Sequence, residues 1–340
     1  MLAYLFRRII VMIPTFIGIT LVSFLVINLA PGGPIEQKIQ AMRFGSGGES
    51  SNNKRGEVGI SQDVLDALKA QYGFDKPVHV RYWIWLKNLS RLDFGESFKY
   101  EESAMKVITE KFPVSLQFGI ASLLLTYLVC VPLGILKAVK AGSIFDHVTG
   151  FLLYVSYSIP TVVLGIFLLV FFAGGSYFQW FPLGQLYSDN YLDMTTSQKI
   201  WDRIIHFVLP LICYMISGFT SLTMLMRNSM LDVVKSDYVR TARAKGLSEN
   251  VVLYKHALRN ALIPVATNLG GFFGVFLSGS LIVETIFQLD GIGLLSYNSL
   301  LSRDYNVIMG LIFLSSLVLL LGRLISDVIY VLVDPRIDFK

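Results

Sequence analysis

Six stretches of this chain are long and apolar enough to cross a lipid bilayer. They lie at about residues 9–30, 115–137, 151–173, 204–226, 261–287 and 306–333. Each matches or exceeds the roughly 20 apolar residues that span a hydrocarbon core about 30 Å thick. None carries the polar face at a 3.6-residue period that marks a helix half exposed to water. Because a bilayer offers no water to free backbone groups, such stretches are expected to be helices. The pattern predicts an all-α integral membrane protein with six transmembrane helices.

Residues 31–114 form the one long polar segment between windows. Gly45 to Gly59 is rich in Gly, Ser, Asn and charge, a composition that buries no core, and reads as a mobile loop. Ser61 then precedes Val64, Leu65, Leu68 and Tyr72 at helical spacing, with Gly73 as the stop. A second amphipathic stretch, Val80 to Leu89, carries Tyr82, Trp83, Trp85 and Leu86, aromatics suited to a membrane–water interface. A third short helix is expected over Ser103 to Lys111. The segment 174–203 is expected to hold one short helix, Ser197 to Ile205. The chain thus divides into a tail and first helix (1–30), an extracytoplasmic helical insertion (31–114) and a five-helix core (115–340).

Composition agrees: 54% of residues are hydrophobic and 16% charged, where soluble domains carry about 25% charge. Basic residues in short connections set orientation. With the N-terminus cytoplasmic, the inside segments hold Arg7, Arg8, Lys137, Lys140, Arg227, Lys235, Arg240, Arg243, Lys245, Lys255, Arg259, Arg336 and Lys340. The short outside connections hold Lys199, Arg203 and Arg303. Both termini are therefore placed inside. The net charge of +5 reflects orientation and contact with membrane lipid, not nucleic-acid binding. The first apolar run is longer than a signal-peptide core of about 7–15 residues and ends in Pro31-Gly32-Gly33-Pro34, so it reads as an uncleaved span. Cys130 and Cys213 fall inside windows and read as packing residues. The four His show no metal-ligand spacing.

Ionisable or polar groups inside spans are few. Glu284, near the outer end of the fifth window, could line a gate, meet a substrate amine or cap a helix contact. Arg323 and Asp327, four apart, can pair on one helix face. Ser156, Tyr157, Ser158 and Pro160 interrupt the third window. Pro160 predicts a kink, and its neighbours line a pathway or pack helices.

The loop 227–260 is short, basic and held between two windows. Its good helix formers from Tyr238 end at Gly246, a natural position after a helix end. Ser248 can cap a second helix from Glu249 to Asn260. Two short helices joined by a tight turn make a stiff handle with Arg240, Arg243 and Lys245 on its surface.

The residue order from Asp237 to Pro264, DYVRTARAKGLSENVVLYKHALRNALIP, resembles the EAA loop of ABC-importer permeases in the form found in oligopeptide and dipeptide systems. Arg240-Thr241-Ala242 stands where the general pattern has Glu-Ala-Ala, and Gly246 is its glycine. Other stretches similar to peptide-permease B subunits are Asp93-Phe94-Gly95-Glu96-Ser97, Phe112-Pro113-Val114-Ser115-Leu116 and Gly279-Ser280-Leu281-Ile282-Val283-Glu284-Thr285. Tyr4-Leu5-x-Arg7-Arg8, Ala30-Pro31-Gly32-Gly33-Pro34, Tyr72-Gly73-Phe74-Asp75-Lys76-Pro77, Gly291-Ile292-Gly293-Leu294, Arg303-Asp304-Tyr305 and Asp334-Pro335-Arg336-Ile337 complete the series. The Gly/Ser-rich insertion after Pro34, the stretch Phe171 to Tyr177 and the ending Asp334 to Phe339 look closest to the Yej-type branch.

The resemblance implies a type I importer permease in the bacterial inner membrane. Its loop, with Tyr238, Arg240, Thr241, Ala242, Arg243, Ala244, Lys245, Gly246, Leu247 and Ser248, would supply the coupling helix for an ATPase. The implied partners are a second homologous permease forming a heterodimer, two ATPase subunits or one fused ATPase, a periplasmic binding protein and a peptide substrate. No phosphate-binding Gly-x4-Gly-Lys-Ser/Thr motif is present, so ATP and Mg belong to the partners, and this chain is expected to bind no cofactor and catalyse no reaction. A secondary transporter or channel working alone is the rival reading. Such proteins often show repeats with broken spans at matching positions, and the sequence shows no such symmetry.

Overall fold

The computed structural model describes residues 2–29, 75–175, 177–271 and 279–333. The expected loop at 45–59, the helix expected from Ser61 and the motif at 334–337 lie outside the described residues. Among the described residues the fold is all-helical, with a lone antiparallel bridge between Glu96 and Ser103.

Among the described residues three helical segments are long and apolar enough to cross a membrane: Phe6–Leu29, Ala104–Val139 and Tyr305–Ile329. Two bent pairs bring the number to as many as five if each pair is one span. The first pair, Ile144–Ser158 and Thr161–Phe172, turns through 96°. Its cause is local. A residue before proline is pushed out of the helical region, and Ile159 is extended, with φ −82° and ψ 118°. Pro160 then starts the next helix, its carbonyl accepting from the Leu164 amide at 3.0 Å. The second pair lies within Thr196–Val234, bent by 51° between Ile216 and Gly218. The fifth window is described only as the helices Leu258–Thr267 and Leu281–Ile286, with residues 272–278 between them outside the description.

Two helices expected to stand alone are instead the first turns of spans. Ser103 to Lys111 belongs to Ala104–Val139, so the boundary proposed at 114/115 falls within a helix. Pro113 does not stop it, since a proline removes one backbone bond and a full break among apolar surroundings would strand several more. Ser197 to Ile205 likewise opens Thr196–Val234. The Gln198 side chain accepts from the Thr195 amide at 2.9 Å, half of a capping box.

The chain divides into two compact units. One holds the described residues of Met1–Ile10, Phe112–Leu294 and Leu317–Lys340. Its inner core joins Cys130, Leu222, Met226, Met230, Val239, Val252, Ala257, Ala261 and Val265. Gly134 lets Ala104–Val139 lie against Thr196–Val234: a Cβ there would stand 2.6 Å from Met226 Cβ and 2.7 Å from the Thr223 carbonyl oxygen. Arg8 Nε lies 2.7 Å from Asp327 Oδ2. The partner of Asp327 is thus on the N-terminal helix and not, as expected, Arg323 one turn away.

The other unit holds the described residues of Val11–Lys111 and Leu295–Ser316. The helix Val78–Leu89 forms as its spacing predicts. It buries Tyr82 and Trp85 against Phe24 and leaves Trp83 exposed. Asp304 is fully buried and accepts from the Ser97 hydroxyl and, at 3.3 Å, from the Lys99 amide. The Asn306 amide donates to the Glu96 carbonyl at 2.7 Å. The Asp93–Ser97 and Arg303–Tyr305 stretches, distant in sequence, are thereby tied together.

Gly134→Val should overpack the helix pair and cost about 1–3 kcal/mol. Thermal unfolding of the purified chain in detergent reads this as a lowered midpoint. An unchanged midpoint would mean the two helices separate freely and the contact is not tight.

Candidate functional site

The loop after Thr196–Val234 folds as a helix, Asp237–Ala244, a turn at Gly246-Leu247-Ser248, and a returning helix. The first helix has two faces. Val239 and Ala242 are buried in the inner core, while Arg240, Thr241, Arg243 and Ala244 are exposed. Gly246 has φ +78°, the left-handed conformation that closes a helix without a Cβ penalty. Ser248 occupies the cap position, though its side chain accepts no capping bond.

The returning segment runs further than its sequence suggests. Glu249–Val251 is α-helical, Val252–Ala257 is wound as a π-helix, and Leu258–Thr267 resumes the α-helix. The wider turn brings Val252, Leu253 and Ala257 into the core together. The Ser229 hydroxyl donates to the Ala261 carbonyl at 2.7 Å and Tyr127 to the Val265 carbonyl at 3.1 Å, fixing this helix to the core.

A clasp spans the turn. Arg243 Nε and Nη2 donate to Glu249 Oε2 and Oε1 at 3.1 and 2.6 Å. The guanidinium holds the Glu249 carboxyl below its ordinary value, chiefly by hydrogen bonding, and the carboxylate raises Arg243 in return. The Asn260 amide donates to the Tyr238 hydroxyl at 2.7 Å. The loop is therefore ordered, yet Tyr254, Tyr238 and Leu247 are 53%, 43% and 41% exposed. Lys245 and Ser248 are exposed beside them. The tip is therefore stiff, basic and partly apolar.

A second constellation surrounds Glu284, which is fully buried. Oε1 accepts from Ser115 Oγ at 2.7 Å, Tyr214 Oη at 2.8 Å and the Ser280 amide at 3.2 Å. Oε2 accepts from the Gly293 and Leu294 amides at 2.6 and 3.0 Å. Ser115 Oγ itself accepts from the Ile292 amide at 2.7 Å. Small residues make the cradle possible. A Cβ at Gly291 would stand 2.5 Å from Glu284 Oε2, and one at Gly279 would stand 2.8 Å from Oε1. The carboxylate takes five hydrogen bonds from the chain itself, a geometry suited to anchoring a helix contact. Sequence reasoning named Glu284 alone. Its partners Ser115, Tyr214, Gly279, Gly291 and Gly293 were missed as a site, although four of these five lie in stretches that resemble the permease family.

The candidate pathway residues sit at the 96° break. Tyr157, Ser158 and Pro160 are exposed and Ser156 is half-buried. The Ser156 and Ser158 hydroxyls donate to the Leu152 and Tyr154 carbonyls, both at 2.8 Å, so each closes on its own helix. The break is not brought together with the Glu284 cradle by any hydrogen bond among the described residues.

Residues 130–339 match the family described as the binding-protein-dependent transport system inner membrane component. The peptidoglycan transport system permease protein YejB of Agrobacterium fabrum is 44% identical over 99% of this chain and 98% of its own length. The inner membrane ABC transporter permease protein YejB of Escherichia coli O157:H7 is 43% identical over 99% of both chains. The oligopeptide transport system permease protein AppB of Bacillus subtilis is 35% identical over the whole of both. Among solved structures, the inward-facing MetNI methionine ABC transporter matches with 14% identity and a TM-score of 0.47, over 66% of this chain and 97% of that one. The fold and the comparisons define a multi-pass bacterial inner-membrane transport subunit. The chain belongs to the family of binding-protein-dependent ABC-importer permeases, in its Yej-type branch.

Glu284→Gln should leave a backbone amide facing a donor in either side-chain orientation, that of Ser280 on one side or those of Gly293 and Leu294 on the other, at a cost of about 1–3 kcal/mol. A lowered unfolding midpoint with faster proteolysis near Gly291 is the expected result. An unaltered midpoint would remove the anchor role.

The Arg243–Glu249 clasp should depend on pH with a definite sign. The carboxyl is depressed in the fold, so the clasp is complete above its ordinary value of 4.5 and fails as pH falls through the lower folded value. A nitroxide at Leu247 should be ordered at pH 7 and loosen in strong acid, with Glu249→Gln loose already at pH 7. Equal mobility in all three would dismiss the clasp.

Proposed function

We propose that this chain is one of two membrane-spanning subunits through which an ATP-driven importer moves peptides across the bacterial inner membrane. Support for the substrate class comes from the relatives: AppB is an oligopeptide permease, a similar DppB of Escherichia coli is a dipeptide permease, and the Agrobacterium YejB is a peptidoglycan permease. Peptide-bearing cell-wall fragments therefore fall within the proposed range. A periplasmic binding protein delivers the substrate, and a second, distinct permease completes the pathway. Six spans with both termini cytoplasmic follow from the hydropathy and the basic residues of the short connections.

The observation that carries the reading is the loop Asp237–Pro264. It is ordered by its buried face, clasped across its turn and exposed at its tip. It would seat in an ATPase subunit as the coupling element, with residues Tyr238 to Ser248 at the contact. ATP and Mg act on that subunit, which closes, draws the loops of the two permeases together and reorients the spans in alternating access. Glu284 serves as an anchor near the outer end, and Ser156 to Pro160 mark the point where the third span yields.

Gly246 offers a clean test, because a Cβ there meets nothing within 4 Å. Its replacement acts through backbone conformation alone. Gly246→Val should strain the left-handed turn by about 1–2 kcal/mol and reduce the ATPase that co-purifies from native membranes. Gly246→Asn, which tolerates this conformation, should retain it. Equal recovery with all three residues would discard the docking role. A chain that purifies with neither an ATPase nor a second permease in several mild detergents would favour a transporter acting alone.

A further inference from the structure

A buried ionic cluster lies in the same unit as the loop. Lys137, at the end of Ala104–Val139, is fully buried. Its Nζ donates to the Asp146 carbonyl at 2.7 Å and to Thr149 Oγ1 at 2.9 Å, and stands 3.0 Å from Asp146 Oδ1. Asp146, in the first turn of Ile144–Ser158, is also buried. Arg227, near the end of Thr196–Val234, donates through Nε and Nη2 to Asp146 Oδ1 and Oδ2 at 2.9 and 2.6 Å. The Gly142 amide adds a fourth donor to this carboxylate at 3.2 Å. One carboxylate thus joins the ends of three helices through two cations.

The two ion pairs are not equivalent. Lys137 and Asp146 are both out of water, so removing Asp146 alone strands the Lys137 charge, a change that is strongly destabilising. The Arg227 side chain is 24% exposed and can re-enter solvent. The Lys137–Asp146 pair alone already closes the turn at 140–143. What Arg227 adds is a rigid two-point link from Thr196–Val234 to Ile144–Ser158.

That link stands where a displacement of the loop would pass. Val239 and Ala242 of the loop helix share one buried cluster with Met226 and Met230, which flank Arg227 on Thr196–Val234. Beyond Asp146, the helix Ile144–Ser158 runs without interruption to the break at Ile159–Pro160. We propose that Arg227, through its bidentate bond to Asp146, is the positioning residue that carries displacement of the loop to the broken third span. Coupling of this kind requires a contiguous set of rigid elements that both sites bias. Here these are loop helix, core cluster, Arg227, Asp146 and the first half of the broken span. The inference rests on the reading that an ATPase holds the loop.

The test uses the complex purified with its ATPase and placed in lipid nanodiscs. Tyr157→Cys, at an exposed position before the break, is labelled by a soluble maleimide with and without ATP and vanadate. The native Cys130 and Cys213 are buried. ATP should change the labelling rate about fivefold or more, the low end of coupling between distant sites. With Arg227→Gln added, ATP hydrolysis should persist while the labelling response is lost. A merely structural role would lower the yield of complex without separating hydrolysis from response. Should Arg227→Gln fail to assemble, Asp146→Asn with Lys137→Met cuts the same link without stranding a buried charge and is judged by the same response. An undiminished response in either background overturns the relay, as does a Tyr157→Cys complex that hydrolyses ATP with no change in labelling. A chain that brings down no ATPase overturns the docking reading instead.

Discussion

A carboxylate taken out of water among apolar helices survives only if the protein supplies the hydrogen bonds that water gave up. Glu284 shows what that demands. Its two oxygens collect five donors from three separate parts of the chain: Ser115, Tyr214, and the Ser280, Gly293 and Leu294 amides. The glycines at 279 and 291 are there because a Cβ at either place would touch the carboxylate. The requirement to satisfy one charge thus fixes where the helix Leu281–Ile286 lies and how the segment after it turns.

The same rule organises the rest. Asp146 answers it with Lys137, Arg227 and Gly142, and binds together the ends of three helices. In the other unit Asp304 answers it with Ser97 and the amide of Lys99. Hydrophobic burial gives these helices little directional preference, since lipid is as apolar as their side chains. Buried carboxylates with fixed donor sets supply the direction. The loop Asp237–Pro264 obeys the opposite logic. Its ion pair is exposed and short in reach, enough to keep the turn stiff while its surface stays open.

Much of this was legible in the chain. The apolar windows, the helix Val78–Leu89, the stop at Gly246 and the break before Pro160 are local matters. Each depends on residues within a turn or two, and hydropathy, a left-handed glycine or a proline ring declares them directly. The boundaries were less legible. Ser103 to Lys111 and Ser197 to Ile205 look polar enough to stand apart, yet each continues into a span, because a continuous helix leaves fewer backbone groups unpaired than a break would.

By itself the sequence determined the helical membrane class, the family and the helix–turn–helix form of the loop Asp237–Pro264, because periodicity and motif order are properties of neighbours along the chain. Tertiary structure alone decided which charge meets which. Arg323 stood four residues from Asp327, yet Arg8 is the ion-pair partner. Ser115 is 169 residues from Glu284, and Arg227 is 81 from Asp146. A buried charge takes its partner from whichever segments pack beside it, and packing is set by the whole chain at once.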